Sequence, residues 1–200
     1  YSKSKMISKS EYIRKLIHLS NLTIPISYYY VFQDKRFFLI SLFFLVLIFI
    51  AIDLFREKNK YIKIFFNLFF NRMMRKHELN GALTGASWVM ISAFVTILIF
   101  PKNIAILSLL FMSIGDTVAG LAGRGIGKLK IGEKTVEGFV FGFLACALIS
   151  YNYKLLSFSI SIYGSLVGMI FEVLPLPLDD NLKIPISSAS IMCIIDSYLI

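Results

Sequence analysis

Cysteine and histidine are scarce in this chain, with two of each in 200 residues. Cys146 and Cys193 sit inside apolar segments without metal-ligand spacing, so neither a disulfide framework nor a cysteine-bound zinc fold is expected, and both thiols read as small packing residues. His18 and His77 are too few for a zinc site and form no HExxH pair. Neither a GxxxxGK[ST] phosphate loop nor a dinucleotide GxGxxG occurs. Acidic residues are also few, 12 Asp+Glu against 21 Lys+Arg, for a formal charge of +9. There is no internal repeat and no low-complexity tract.

What is abundant is apolar surface. Hydrophobic residues make up 57% of the chain and the mean hydropathy is +0.74, more than a soluble domain of this size can bury. A transmembrane helix needs roughly 20 mostly apolar residues, and about seven such stretches are separated by short polar connectors. They are expected at Leu16–Phe32, Phe37–Ile52, Ala82–Phe100, Asn103–Gly123, Val136–Tyr151, Leu155–Leu174 and Ile184–Ile200. Lys58–Met74 alternates basic residues with aromatics and is too charged to span; an amphipathic helix lying in the membrane interface is expected there. The expectation is an all-α polytopic bundle forming one integral membrane domain over residues 1–200, with no room for a separate soluble domain. The chain begins at Tyr1, not at Met, so residues upstream are expected. Ser2 to Lys15 is a basic flank without a signal-peptide cleavage site.

Charge gives the orientation, because Lys and Arg accumulate on the cytoplasmic side. With the N-terminus inside, 17 of the 21 basic residues fall in inner segments, and only Lys35, Arg36, Lys102 and Lys154 fall outside. The positive charge thus serves topology and attraction to anionic headgroups, and nucleic acid is not expected as a partner. Most acidic residues lie at the same inner ends. Asp34 and Asp196 do not, and Asp196 has no role in this reading.

Eight of the 12 glycines lie between Gly115 and Gly142. They suit close helix packing, or backbone amides freed to surround phosphate oxygens; both readings stand. Asp116 lies deep in an apolar segment, where an isolated carboxylate costs ~2.5–3.5 kcal/mol. Its expected partner is a divalent cation, or the basic pair Arg124 and Lys134. The acidic segment from Glu172 through Asp179 and Asp180 to Asn181 holds three carboxylates and an amide at a proline-rich helix junction. That is either a solvated turn or an oxygen-rich set of the kind Mg²⁺ accepts. Arg14 with His18, and Asp53 with Arg56, are each one helical turn apart and read as helix-end charge pairs or headgroup contacts.

These residues resemble the CTP-dependent lipid kinases: dolichol kinase, phytol kinase and CTP-dependent diacylglycerol kinase. The resemblance rests on RKLIH at 14–18, DLFR at 53–56, GDTVAGLAGRGIGK at 115–128, KTVEG at 134–138 and EVLPLPLDDNLKIP at 172–185. The central segments are also similar to phosphatidate cytidylyltransferases, which makes a CTP-using cytidylyltransferase the alternative activity. DDNLKIP, and the lack of that family's longer C-terminal signature, favour the kinase. A transporter in which Asp116, Glu172 and Asp196 mark an ion path is the non-enzymatic alternative.

The resemblance implies transfer of the γ-phosphoryl group of CTP to a membrane lipid alcohol, polyprenol-like first, with release of CDP at the cytoplasmic surface. It implies Mg²⁺ held by Asp116, Asp179, Asp180 and Glu172. Nucleotide contacts would come from Arg14, Lys15, Gly123, Arg124, Gly125, Gly127, Lys128, Lys134 and Glu137. Asp116, Asp180, Lys134 and His18 are the catalytic candidates, with Asp180 and His18 both open as general base.

Overall fold

The computed structural model describes residues 9–61, 64 and 82–199, and nearly all regular structure among them is helical. The first apolar stretch, expected as one helix over 16–32, is two: α1 (Lys9–Ser20) and α2 (Thr23–Tyr30). Pro25 lacks an N–H and fits only the first turn of α2, where the amide needs no partner. Hydroxyls compete for the carbonyls at the break: Ser20 Oγ donates to Ile17 O at 2.6 Å and Thr23 Oγ1 to Ser20 O at 2.8 Å. With eight residues, α2 is only ~12 Å long. The broken pair nonetheless runs the height of the bundle. Near one end Glu11 pairs with Arg124, and at the other Lys102 Nζ donates to Phe32 O at 3.0 Å.

Asp34 starts α3 (Lys35–Lys58) by accepting a hydrogen bond from the Arg36 amide at 2.7 Å. This helix lies on the outside of the bundle: only 17% of its most apolar window is buried, and Phe37, Phe44, Leu54 and Phe55 face outward. Such a surface suits hydrocarbon, not water. After α4 (Gly85–Ile99), Pro101 turns the chain into α5 (Lys102–Leu110), a π-helical turn (Phe111–Gly115) and α6 (Asp116–Gly125). That continuous rod is the centre of the bundle, 72% buried over its apolar window, with Ile104, Leu107, Leu109 and Phe111 enclosed. Then come α7 (Val136–Asn152), α8 (Phe158–Val173) and α9 (Asp180–Leu199).

Among the described residues two helical stretches, Lys35–Arg56 and Lys102–Gly125, are both long and apolar enough to cross a bilayer; α4, α7 and α8 are apolar but shorter. The interfacial helix expected over Lys58–Met74 lies, beyond its first few residues, outside the described residues. The expectation of helix alone needs one correction, a two-stranded antiparallel hairpin of β1 (Lys130–Ile131) and β2 (Lys134–Thr135) with Ile131 opposite Lys134. Gly132 turns it at φ +59°, a left-handed conformation glycine adopts without strain.

The helices α6 and α7 touch backbone to backbone. A Cβ on Gly138 would lie 2.8 Å from the Ala119 carbonyl oxygen, and one on Gly142 2.9 Å from Ala119 Cβ. For these two glycines the packing reading is the one the structure supports.

Candidate active site

Three carboxylates from distant parts of the chain converge. Asp116 comes from the start of α6, just past the π-helical turn; Glu172 from the last turn of α8; Asp180 from the first turn of α9. One oxygen of each lies within 4.8 Å of the others. Asp116 and Glu172 are buried, 8% and 2% exposed, so their charges require partners.

Those partners are three lysines. Lys15 of α1 reaches across to Asp116, with Nζ 2.7 Å from Oδ2 and 2.9 Å from the Asp116 carbonyl oxygen. A Cβ on Gly120, one turn beyond Asp116, would come within 2.7 Å of Lys15 Cε and Nζ; the bare glycine leaves the channel that the lysine occupies. Lys134, presented by β2, bridges Glu172 Oε1 at 2.5 Å and Asp180 Oδ2 at 2.8 Å. Lys183, one turn along α9, holds Asp180 Oδ1 at 2.8 Å and donates to the Leu174 carbonyl at 3.0 Å. Three negative and three positive groups balance, which makes burial tolerable. Burial alone would depress the Lys134 pKa; Asp180, Asp116 and Glu172 more than reverse this and hold it above its ordinary value, so the amine stays charged.

His18 completes the cluster. Its Nε2 lies 3.3 Å from both Asp116 Oδ2 and the Met112 carbonyl oxygen, while the Asn21 amide nitrogen sits 3.3 Å from Nδ1. Both groups facing Nε2 are acceptors, so Nε2 carries the hydrogen it donates to them.

The chain is 33% identical over 184 residues to an uncharacterized protein of Rickettsia prowazekii (strain Madrid E), covering 87% of this chain and 89% of that one. It is 30% identical over 153 residues to CTP-dependent diacylglycerol kinase 1 of Schizosaccharomyces pombe, covering 65% of this chain and 70% of the relative. The chain belongs to the CTP-dependent lipid kinase family. CTP-dependent diacylglycerol kinase 1 of Saccharomyces cerevisiae is 26% identical over 219 residues, with 93% of this chain and 73% of that one covered. No family model and no solved structure matches.

Within this CTP-dependent lipid kinase, several residues singled out from the sequence lie away from the carboxylates. Arg124 does not neutralise Asp116; it pairs with Glu11, which also holds Arg14 at 2.8 Å. Asp116 is met instead by Lys15 and His18, from a helix a hundred residues earlier in the chain. Asp179 Oδ1 accepts from the Asn181 amide at 3.0 Å and from Asn181 Nδ2 at 2.7 Å, an N-terminal cap for α9. Glu137 Oε1 accepts from the backbone amides of Lys128 and Leu129 at 2.9 and 3.3 Å, so these amides are engaged within the loop. Gly125 ends α6. A Cβ on Gly123 or Gly127 would come within 2.8 Å of the Thr135 hydroxyl, so both bring the loop against the hairpin. Asp53 Oδ2 accepts from Thr84 N–H, Thr84 Oγ1 and Ser87 Oγ at 2.8, 3.0 and 2.6 Å, tying α3 to α4. Lys183, within the DDNLKIP segment, was not singled out from the sequence as a site residue, although its i+3 spacing from Asp180 was the available signal.

The carboxylates fit a hard divalent cation. Their donors are all oxygen, and among the described residues no hydrogen bond goes to Asp116 Oδ1 or Glu172 Oε2, which leaves an oxygen on each for a ligand.

Proposed function

We propose that the chain phosphorylates the hydroxyl of a membrane lipid, with CTP as donor and Mg²⁺ as the cation, and releases CDP. The observation that carries this reading is the convergence of Asp116, Glu172 and Asp180 among Lys15, Lys134 and Lys183. Phosphoryl transfer asks a protein mainly for positioning and charge neutralisation, and this cluster has both signs of charge within a few ångströms. Asp116, Glu172 and Asp180 would hold the cation, which when bound neutralises charge on the phosphate oxygens. Lys15 and Lys134 would exchange carboxylate contacts for triphosphate oxygens, with Arg14, Arg124 and Lys128 at the approach.

In this mechanism the lipid hydroxyl oxygen bonds to the γ-phosphorus as the bond to the β–γ bridging oxygen breaks, and the hydroxyl proton passes to a base. His18 presents its Nε2–H to two acceptors, which suits an orienting donor; Asp180 is our candidate base. Two relatives named for diacylglycerol put that lipid at the front of the substrate panel, ahead of the polyprenol that the sequence motifs suggested, with phytol third.

We further propose a single membrane domain with seven crossings, the first of them the broken pair α1–α2, and with the N-terminus and carboxylate cluster on the cytoplasmic side. The distribution of basic residues supports this orientation. The deciding assay uses purified protein with CTP, Mg²⁺ and each lipid alcohol. Label from the γ-position should enter the lipid. Label from the α-position entering it, with release of pyrophosphate, would establish the cytidylyltransferase instead; no labelled lipid from any alcohol would end both readings.

A further inference from the structure

The ionisable side chains of α1 fall on one stripe. Glu11, Arg14, Lys15 and His18 stand at i, i+3, i+4 and i+7, which is one face of a helix, and that face is turned to the central rod. Tyr12, Ile13, Leu16 and Ile17, on the other side, are exposed. The usual amphipathic arrangement is inverted. Among the described residues no apolar side chain of α1 joins the hydrophobic core, whereas Lys15 is buried. Polar contacts, not packing, hold this helix in place.

Those contacts follow one another along the rod in opposite chain order. His18 meets the Met112 carbonyl and Asp116, Lys15 meets Asp116, and Glu11 meets Arg124, eight residues and ~12 Å beyond Asp116. The Glu11 oxygen that pairs with Arg124 also holds Arg14, at 2.8 Å. On the lipid-kinase reading, on which this inference rests, Lys15 leaves Asp116 for a triphosphate oxygen. The most buried tie between α1 and the rod is then given up as the substrates bind. The Glu11–Arg124 pair lies two helical turns away and outside that exchange. A guanidinium has several N–H donors in a fixed fork, so Arg124 can keep Glu11 while it also faces a phosphate.

We propose that Glu11 is a positioning residue for phosphoryl transfer: by holding Arg124 it pins α1 to the rod, and so keeps Lys15 and His18 at the reacting centre once Lys15 has let go of Asp116. Glu11 touches neither the carboxylate cluster nor a reacting atom; it acts through the helix that carries them.

Hydrogen–deuterium exchange on the protein in bilayer nanodiscs, with Mg²⁺ and CTP present and no lipid alcohol, reads the position of α1 without turnover. The amides of residues 9–20 should exchange about fivefold faster in Glu11→Ala than in the wild type, the upper end of what a part-exposed ion pair holds back, with α7, α8 and α9 unchanged. In the lipid-kinase assay at saturating CTP, kcat should fall by a similar factor while the melting temperature holds, because α1 adds nothing to the core. Glu11→Arg should lower kcat in the wild-type background yet raise it in Arg124→Glu, where the pair is restored with its signs reversed. Unchanged exchange over α1, an unchanged kcat, a melting temperature that falls along with kcat, or a Glu11→Arg effect of the same sign in both backgrounds would overturn the inference and leave the kinase reading standing. No transfer of γ-label by the wild type would remove that reading instead, and the exchange measurement would still decide whether Glu11 pins α1.

Discussion

Replacing Lys134 with methionine separates the role of the lysine from that of a cation. In the wild type the amine lies 2.5 Å from Glu172 Oε1 and 2.8 Å from Asp180 Oδ2, and the Glu172 side chain is 3% exposed. Removing one partner of a fully buried pair costs ~3–5 kcal/mol. The Lys134 side chain is 32% exposed, so water screens part of the pair and ~1–3 kcal/mol is the expected loss of stability. A cation should reverse it. At an effective dielectric of ~20, unit charges ~4 Å apart interact by ~4 kcal/mol, and a doubly charged ion feels twice that repulsion from the ammonium. Even a quarter of this, ~2 kcal/mol, corresponds to roughly thirtyfold tighter binding once the lysine is gone.

Thermal unfolding of the purified variant, followed by far-ultraviolet circular dichroism with and without millimolar Mg²⁺, reads both effects. Lys134→Met should melt lower than wild type without Mg²⁺ and gain more from its addition. The folded-state pKa of Lys134 is raised, so its stabilising contribution is complete below the ordinary value of 10.5 and fades only as pH climbs through the higher folded value. The Lys134 amine itself therefore adds no pH dependence to the difference between variant and wild type across neutral pH. An Mg²⁺ shift equal in both proteins, or larger in the wild type, would refute the reasoning.

Three further outcomes are expected. Gly120→Ala puts a methyl where Lys15 now lies; the flexible side chain can swing aside, so the melting temperature should hardly move while phosphoryl transfer falls about tenfold or more, as for loss of one charge-stabilising donor. Gly138→Ala meets the Ala119 carbonyl, which is backbone and cannot yield; a loss of ~1–3 kcal/mol should appear as a lower melting temperature. Asp53→Ala strips the acceptor from Thr84 N–H, Thr84 Oγ1 and Ser87 Oγ, and should cost ~1–3 kcal/mol in denaturant unfolding; a stability within a few tenths of wild type would mean these donors find other acceptors.

The helices were legible because apolar runs of this length need little beyond composition to identify them. Asp116 stood out as a carboxylate within an apolar run, and Asp180 as one of three carboxylates in the proline-rich segment before the last helix. What the sequence concealed was partnership. Arg124 is eight residues from Asp116 and looked like its counter-ion, yet Lys15, 101 positions away, holds the contact because Gly120 opens a path for it. Asp179 and Asp180 are neighbours with separate duties: the residue before a helix caps it, and the next one turns inward. The break at Asn21 was foreshadowed by Pro25, but not that both halves would be needed to run the length of the bundle. The hairpin was hidden because two-residue strands leave no alternating pattern; only Gly132 hinted at a turn.

The π-helical turn between Phe111 and Gly115 has a consequence for tolerance to deletion. It accommodates a residue more per turn than the flanking α-helix. Losing a single residue there would let the rod close into ordinary α-helix without breaking it, and because the wide turn had absorbed that residue, everything beyond would keep its facing. Asp116 would then keep its neighbours, so the central rod should tolerate a shortening at this turn that it would not tolerate inside α5, where the same loss turns Asp116 by ~100° away from Lys15.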